Sequence, residues 1–258
     1  MVLKDYIRLI RFRYHFSFIS IILGSLFFAE ETSPFLFRSL ILVYISFNIF
    51  LYGGIYTIND IADIRSDQKH HIKRKRPLAS KRISKSGAWF FAIFLIAAAF
   101  TTCIILLDMS FFYVYLMFLI INLFYSFFAK EIPYLELVVN SITHPLRFAM
   151  GVLLVNAKIP YPLLLAIFFL AIGIACVRRI VEKDVKGWEA RRTLIHYSTS
   201  KLGYIQFIAF LSILLLTTID SSVSKIFYII IISIYIPSAF GIYFSNSIRS
   251  FYRLRWTK

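Results

Sequence analysis

Cysteine is almost missing from this chain. There are two in 258 residues, Cys103 and Cys176, both inside apolar stretches and neither in a CxxC or Cys/His spacing. That excludes a disulfide framework and a thiolate metal site, and leaves both as apolar packing residues. Charge is scarce as well, at 16% of residues against 59% hydrophobic, with a mean hydropathy of +0.75. A soluble domain of this length has no use for so apolar a composition, so the chain reads as a polytopic membrane protein. Acids are scarcer still, 13 against 29 Lys and Arg. The cations fall between hydrophobic runs and form no continuous surface, which excludes a nucleic-acid-binding face. Strict apolar/polar alternation is also absent, and with it a β-barrel.

What the chain does have is a series of apolar stretches at 16–29, 35–58, 88–107, 111–129, 133–155, 161–181, 202–219 and 226–244. They predict an all-α polytopic transmembrane helical bundle of about eight spans, the shorter ones borrowing flanking residues to cross. Basic residues precede the first stretch as in a signal peptide. Phe27 and Phe28 stand where cleavage needs small residues, so that span is retained. With the N-terminus cytoplasmic, nearly all Lys and Arg fall on the cytoplasmic side, and the opposite turns are short and faintly acidic. The expected organisation is a single membrane-embedded domain, 1–258. Its cytoplasmic loops, 59–87 and 182–200, form a polar cap.

One stretch organises the rest. From Tyr52 to Ser84 an apolar helix end passes through Asp60, Asp63 and Asp67 and finishes in Lys73, Arg74, Lys75, Arg76, Lys81 and Arg82. On one helix the acids fall at i, i+3 and i+7, with Asn59 at i−4 to Asp63, so all four share about half of the helix surface. Carboxylates so close repel unless a divalent cation sits between them, and cations a turn or two on suit a polyanion bridged by that metal. A solvated basic loop would explain the Lys/Arg excess but not the helical phasing of the acids. The pattern reads as a magnesium–diphosphate site at a membrane surface. A second loop mixes Glu182, Asp184 and Glu189 with Arg178, Arg179, Lys183, Lys186, Arg191 and Arg192, and opens on the same face.

Two spans carry polar faces: Asn48, Tyr52, Tyr56, Asn59 and Asp63 on the second, and Glu136, Asn140, His144 and Arg147 on the fifth. Arg147 deep in lipid would cost about 2.5–3.5 kcal/mol, so it should face the interior. Glu136 and Arg147 are about 16 Å apart on an ideal helix, too far to pair, and each needs a partner elsewhere. His144 reads as an interior histidine beside a kink at Pro145.

These residues resemble the UbiA family of intramembrane prenyltransferases. Its NDxxDxxxD hallmark stands here as Asn59-Asp60, Asp63 and Asp67, followed by Lys73, Arg74 and Arg76-Pro77, and its YSxxxK as Tyr125-Ser126 and Lys130. The resemblance implies that Asp60, Asp63 and Asp67, with Asn59, hold magnesium on a prenyl diphosphate. Lys73, Arg74 and Arg76 then neutralise its oxygens while a (poly)prenyl group passes to a lipid-soluble acceptor. For the family's second acidic motif the candidates are Glu182, Asp184 and Glu189, with Asp184 taken as a further catalytic metal ligand. His71 stands where the family commonly has Pro, and Lys81 where it commonly has Gly.

One branch, the polyprenyl-phosphate phosphoribosyltransferases, is similar in its spacing of YSxxxK, an acid and LRxxxG, here Tyr125, Lys130, Glu136, Leu146-Arg147 and Gly151. Arg178, Arg179 and Glu182 resemble that branch's KRxxE. The implied substrate-binding set is therefore Asn59, Lys73, Arg74, Arg76, Tyr125, Lys130, Glu136, Asn140, Arg147, Arg178, Arg179 and Glu182. The implied partners are an isoprenoid diphosphate or polyprenyl phosphate and the lipid bilayer, with no nucleic acid. A membrane transporter is the alternative of another class. Against it, the charged clusters lie at one surface and no inverted repeat is visible.

Overall fold

The structure is a computed structural model that describes residues 2–183, 192–221 and 223–256. Among the described residues there are helices and no strand. Seven helices of the described residues are long and apolar enough to cross a membrane: Pro34–Ala62, Lys85–Leu106, Met109–Phe127, Leu135–Leu154, Tyr161–Lys183, Thr199–Ile219 and Lys225–Phe244. The first expected span is a shorter composite, a 3-10 helix at Phe12–Phe18 running into an α-helix at Ile19–Phe28. The steeper 3-10 rise stretches it to about 29 Å, close to the hydrocarbon thickness.

The chain divides into two units, residues 1–127 with 146–159, and residues 128–145 with 160–258. In the first unit, α1 (Val2–Leu9) precedes the 3-10 segment and α2 (Ile19–Phe28). Ser33 caps the next helix by accepting from Leu36 N at 3.3 Å, with Pro34 pre-set at its first position. That helix runs as α3 (Pro34–Val43), a π-helical stretch (Tyr44–Leu51) and α4 (Tyr52–Ala62). After α5 (Ile64–Lys69) come α6 (Lys85–Leu106), capped by Ser84, and α7 (Met109–Phe127). The helix Leu135–Leu154, α8, is shared, its residues from Leu146 onward belonging to this unit.

Two close approaches fix these helices. Gly54 of α4 lies so near α6 that an added Cβ would stand 3.0 Å from Ala92 O, and α6 presents buried Ala88, Ala92, Ala99 and Cys103. Gly24 of α2 and Gly151 of α8 meet almost backbone to backbone. Small residues permit this contact, which dispersion then rewards in an environment with no hydrophobic effect between helices. Around it Phe18, Ile21, Val43, Phe47, Leu51, Tyr115, Phe118 and Met150 form the core.

The second unit contains the start of α8, then α9 (Tyr161–Lys183), α10 (Thr199–Ile219), α11 (Lys225–Tyr235), α12 (Gly241–Phe244) and α13 (Asn246–Trp256). A π-helical turn at Ile236–Phe240 interrupts the last apolar helix, with Pro237 in its first turn. Gln206, fully buried on α10, donates to Gly173 O at 3.3 Å and Ala239 O at 3.0 Å. It thereby satisfies a carbonyl that the π turn would otherwise strand in the apolar interior.

Candidate active site

Asp60 and Asp67 are both 3% exposed. The helix that carries Asp60 stops at Ala62, Asp63 takes φ −90° and ψ 0°, and a new helix begins at Ile64. This corrects the expectation of one continuous helical face for the acids. Ile61 and Ile64, on either side of the break, pack on the same apolar cluster of Leu9, Leu78, Ile83 and Ala88, so the two short helices keep a common buried face. Ladder bonds bridge the break, from Asp63 N to Asn59 O at 3.0 Å and from Asp67 N to Asp63 O at 2.8 Å.

The turn gathers Asp60 and Asp67 on one cation. Arg76 Nη1 reaches Asp60 Oδ1 at 3.2 Å and Asp67 Oδ2 at 2.6 Å. Arg11 makes a second ion pair with the same Asp60 oxygen. Its guanidinium lies over the rings of Tyr56, 5.2 Å to the centroid, and Tyr14, 5.8 Å. Burial works most strongly against the Arg11 charge, but Asp60 together with Tyr14 and Tyr56 outweighs it and holds the guanidinium above its ordinary pKa. Sequence reading counts Arg11 only among the cytoplasmic cations. Its backbone is left-handed, φ 55°, at the turn after α1, and no local pattern announces that turn.

Asp63 is half-buried and its Oδ2 accepts from Asn59 Nδ2 at 3.3 Å, while Asn59 Oδ1 accepts from Ser126 Oγ at 3.2 Å. Ser126 belongs to the YSxxxK stretch, so that motif touches the acidic one. Tyr125 is half-buried beside it. Lys73 and Arg74 stand exposed on a 3-10 turn, Lys73–Lys75. His70 organises this turn by accepting from Ile72 N at 3.2 Å and Lys73 N at 3.4 Å through Nδ1. Burial, then Lys73 and His71, lower its pKa and keep that nitrogen unprotonated. Lys81, in the place of a common glycine, has φ 59°, the region that favours glycine.

Arg147 is 3% exposed, with its guanidinium between the rings of Tyr52 at 4.9 Å and Phe118 at 4.7 Å. The expectation that it turns inward holds, and its neighbours there are aromatic faces. Tyr56 OH donates to Tyr52 OH at 2.6 Å, so α4 carries an unbroken ladder from Arg147 through Tyr52 and Tyr56 to Arg11 and Asp60.

The second unit holds the other predicted charges. Glu136 is fully buried, and Arg179 grips both its oxygens, through Nε and, at 2.7 Å, through Nη2. Arg179 also pairs with Glu182, which takes Arg178 Nε at 2.9 Å. Tyr197, which sequence reasoning missed, donates to Glu136 Oε1 at 2.8 Å and accepts from Tyr134 N at 3.0 Å. Burial and Glu136 raise its pKa above the ordinary phenol value. Lys183 Nζ donates to Tyr197 O at 2.5 Å. Lys130 is half-buried, while Asn140 and His144 are exposed. The polar face of α8 is therefore buried only at its ends, and His144 is not the interior histidine expected. Asp184 and Glu189 lie outside the described residues.

Among the described residues no three Asp, Glu, His or Cys side chains are gathered as a ready-made cation cage. The donor set nonetheless fits a hard divalent cation. It is made of carboxylate and amide oxygens, and two buried carboxylates already converge on a cationic nitrogen. Over residues 17–256 the chain matches the UbiA prenyltransferase family. It belongs to that family.

Individual proteins are similar to it over part of their length or in fold. A decaprenyl-phosphate phosphoribosyltransferase of Corynebacterium glutamicum is 26% identical over 174 residues, 65% of this chain and 52% of that protein. Uncharacterized protein y4nM of Sinorhizobium fredii is 33% identical over 131 residues, 50% of this chain and 25% of that protein. The chain thus spans between a quarter and about half of the length of these curated relatives. A UbiA homologue of Archaeoglobus fulgidus bound to DMAPP and Mg2+ shares the fold at a TM-score of 0.78, with 19% identity, over 98% of both chains. The homologue bound to GPP and Mg2+ gives 0.76 with 20% identity, over 98% of this chain and 95% of that one.

Proposed function

We propose that this UbiA-family chain, acting as one domain over 1–258, is a magnesium-dependent intramembrane transferase. It moves a (poly)prenyl group from a prenyl diphosphate to a lipid-soluble acceptor and releases diphosphate. The observation that carries the reading is the convergence of two buried carboxylates, Asp60 and Asp67, on one cationic nitrogen within reach of a basic turn. Asp60, Asp63 and Asp67, with Asn59, would hold the metal. Bound magnesium would supply Lewis-acid stabilisation of the departing diphosphate charge. Arg76, Lys73 and Arg74 neutralise the diphosphate oxygens, with Arg76 already aimed at the site. Ser126 fixes Asn59 and through it Asp63. Tyr52, Tyr56 and Phe118 supply ring faces that favour positive charge, as the guanidiniums stacked on them demonstrate. The loops that carry these charges face the cytoplasm.

A second reading, phosphoribosyl transfer to a polyprenyl phosphate, is favoured by the Corynebacterium relative and by the buried Glu136, Arg179 and Glu182 network, the residues of the branch-like spacing. The same apparatus would serve it, since both reactions expel diphosphate from a cation-like carbon. The test is incubation of the purified protein with magnesium, a membrane lipid extract and either a labelled prenyl diphosphate or labelled phosphoribosyl pyrophosphate. A labelled lipid product from the first donor, lost in Asp63→Asn, is the expected result. Product from the second donor alone moves the assignment to the branch, and product from neither refutes both.

A further inference from the structure

The two buried acids of the motif are already matched by cations. Two buried carboxylates, Asp60 and Asp67, meet two guanidiniums, Arg11 and Arg76, and the pairs account for both charges. A divalent cation entering by itself would have to displace both arginines from Asp60. Four positive charges would then face three negative ones, Asp63 included, in a region where the Asp60 and Asp67 carboxylates are 3% exposed, and an uncompensated buried charge is strongly unfavourable. A diphosphate arriving with the metal removes that obstacle. It brings several negative charges, and its oxygens suit the planar guanidinium fork as well as a carboxylate does.

We propose that Arg11 and Arg76 are resident counter-cations of the acidic motif, so that magnesium is admitted only together with a diphosphate. As the metal takes the Asp60 and Asp67 oxygens, the two guanidiniums pass to the diphosphate. This rests on the reading of the site as a magnesium–diphosphate site and assigns it an order of filling.

The geometry supports a side-chain exchange with the backbone held still. Arg11 sits on a left-handed turn, φ 55°, directly after α1. That helix is pinned by fully buried Leu9 and by Asp5, which pairs with Arg8 at 3.2 Å and Arg82 at 3.3 Å. When its guanidinium leaves Asp60, the faces of Tyr56 and Tyr14 remain beneath it, so the charge is not stranded. Arg76 has a quarter of its side chain open to the outside, which gives it a direction in which to swing. Because the linkage is thermodynamic, metal must raise diphosphate affinity by the same factor as diphosphate raises metal affinity.

The experiment uses the full chain in detergent, with Mn2+ as a paramagnetic stand-in for magnesium, inorganic diphosphate, or both. Bound metal is read by electron paramagnetic resonance and stability by the melting temperature. The wild type should bind Mn2+ weakly and gain no melting temperature from the metal or diphosphate alone, yet rise clearly with both. Arg11→Gln should melt lower without ligands and bind Mn2+ alone about ten-fold more tightly than the wild type, within the usual range of coupling factors. Arg76→Gln should do the same if the first variant fails to fold. Tight binding of Mn2+ alone to the wild type, unimproved by diphosphate, overturns the exchange and leaves the magnesium–diphosphate reading standing. So does an affinity for Mn2+ alone that neither substitution raises. No response of the wild type to metal and diphosphate together overturns both.

Discussion

Substituting Gly151 by alanine tests how tightly α8 is seated against α2. The added Cβ would stand 2.1 Å from Ile21 O, 2.6 Å from Ser25 N and 2.9 Å from Gly24 C, all backbone atoms. Ordinary contact begins near 3.4 Å, so the helices must part by about 1.3 Å, and no flexible side chain can yield instead. Overpacking of this kind costs about 3 kcal/mol, at the upper end of the usual range. The better helix propensity of alanine returns about 1 kcal/mol. The net loss of about 2 kcal/mol should lower the melting temperature in detergent by about 4–8 °C. Arg147 lies one turn before Gly151 on the same helix, so its stacking between Tyr52 and Phe118 should loosen too and donor-dependent stabilisation should shrink. Gly203→Ala on α10 is the matched control. There the new Cβ meets only Tyr243 OH at 3.4 Å, and the melting temperature should hold or rise slightly. If both variants melt with the wild type, the backbone contact between α2 and α8 is not as drawn and the argument fails.

Other substitutions probe the remaining clusters. Lys81→Gly relieves a left-handed residue and should stabilise by about 1 kcal/mol, measured as a rise in melting temperature. Arg179→Met strips the cation from Glu136 and Glu182 and should cost about 3–5 kcal/mol, with Glu136→Leu in the same chain recovering part of it in a double-mutant cycle. Tyr197→Phe takes the acceptor from Tyr134 N and one of the donors from Glu136 Oε1, which keeps Arg179, and should cost about 1–3 kcal/mol in the same unfolding assay. His70 has a folded pKa below its ordinary 6.5, so the unfolded chain binds more protons between the two values. The His70 contribution is therefore complete above pH 6.5 and lost as pH falls through that window, and His70→Gln should flatten the acid limb of a stability–pH curve.

Which features could be read from the chain alone follows from the range of the forces that set them. Apolar run length marked the spans, because lipid tolerates no unpaired backbone, and helical period placed Tyr52, Tyr56 and Asn59 on one side of α4. The cost of charge in lipid, together with the rise of a helix, was enough to require separate partners for Glu136 and Arg147. They are Arg179 with Tyr197 for the one, and the faces of Tyr52 and Phe118 for the other. Tertiary contact decided what lay beyond one helix. The break at Asp63 leaves no mark in the helical period, and the pairing of Asp60 with Arg11 joins residues 49 apart. A left-handed arginine leaves no trace in periodicity, and the guanidinium that holds two aspartates in place is chosen by packing that only the folded chain possesses.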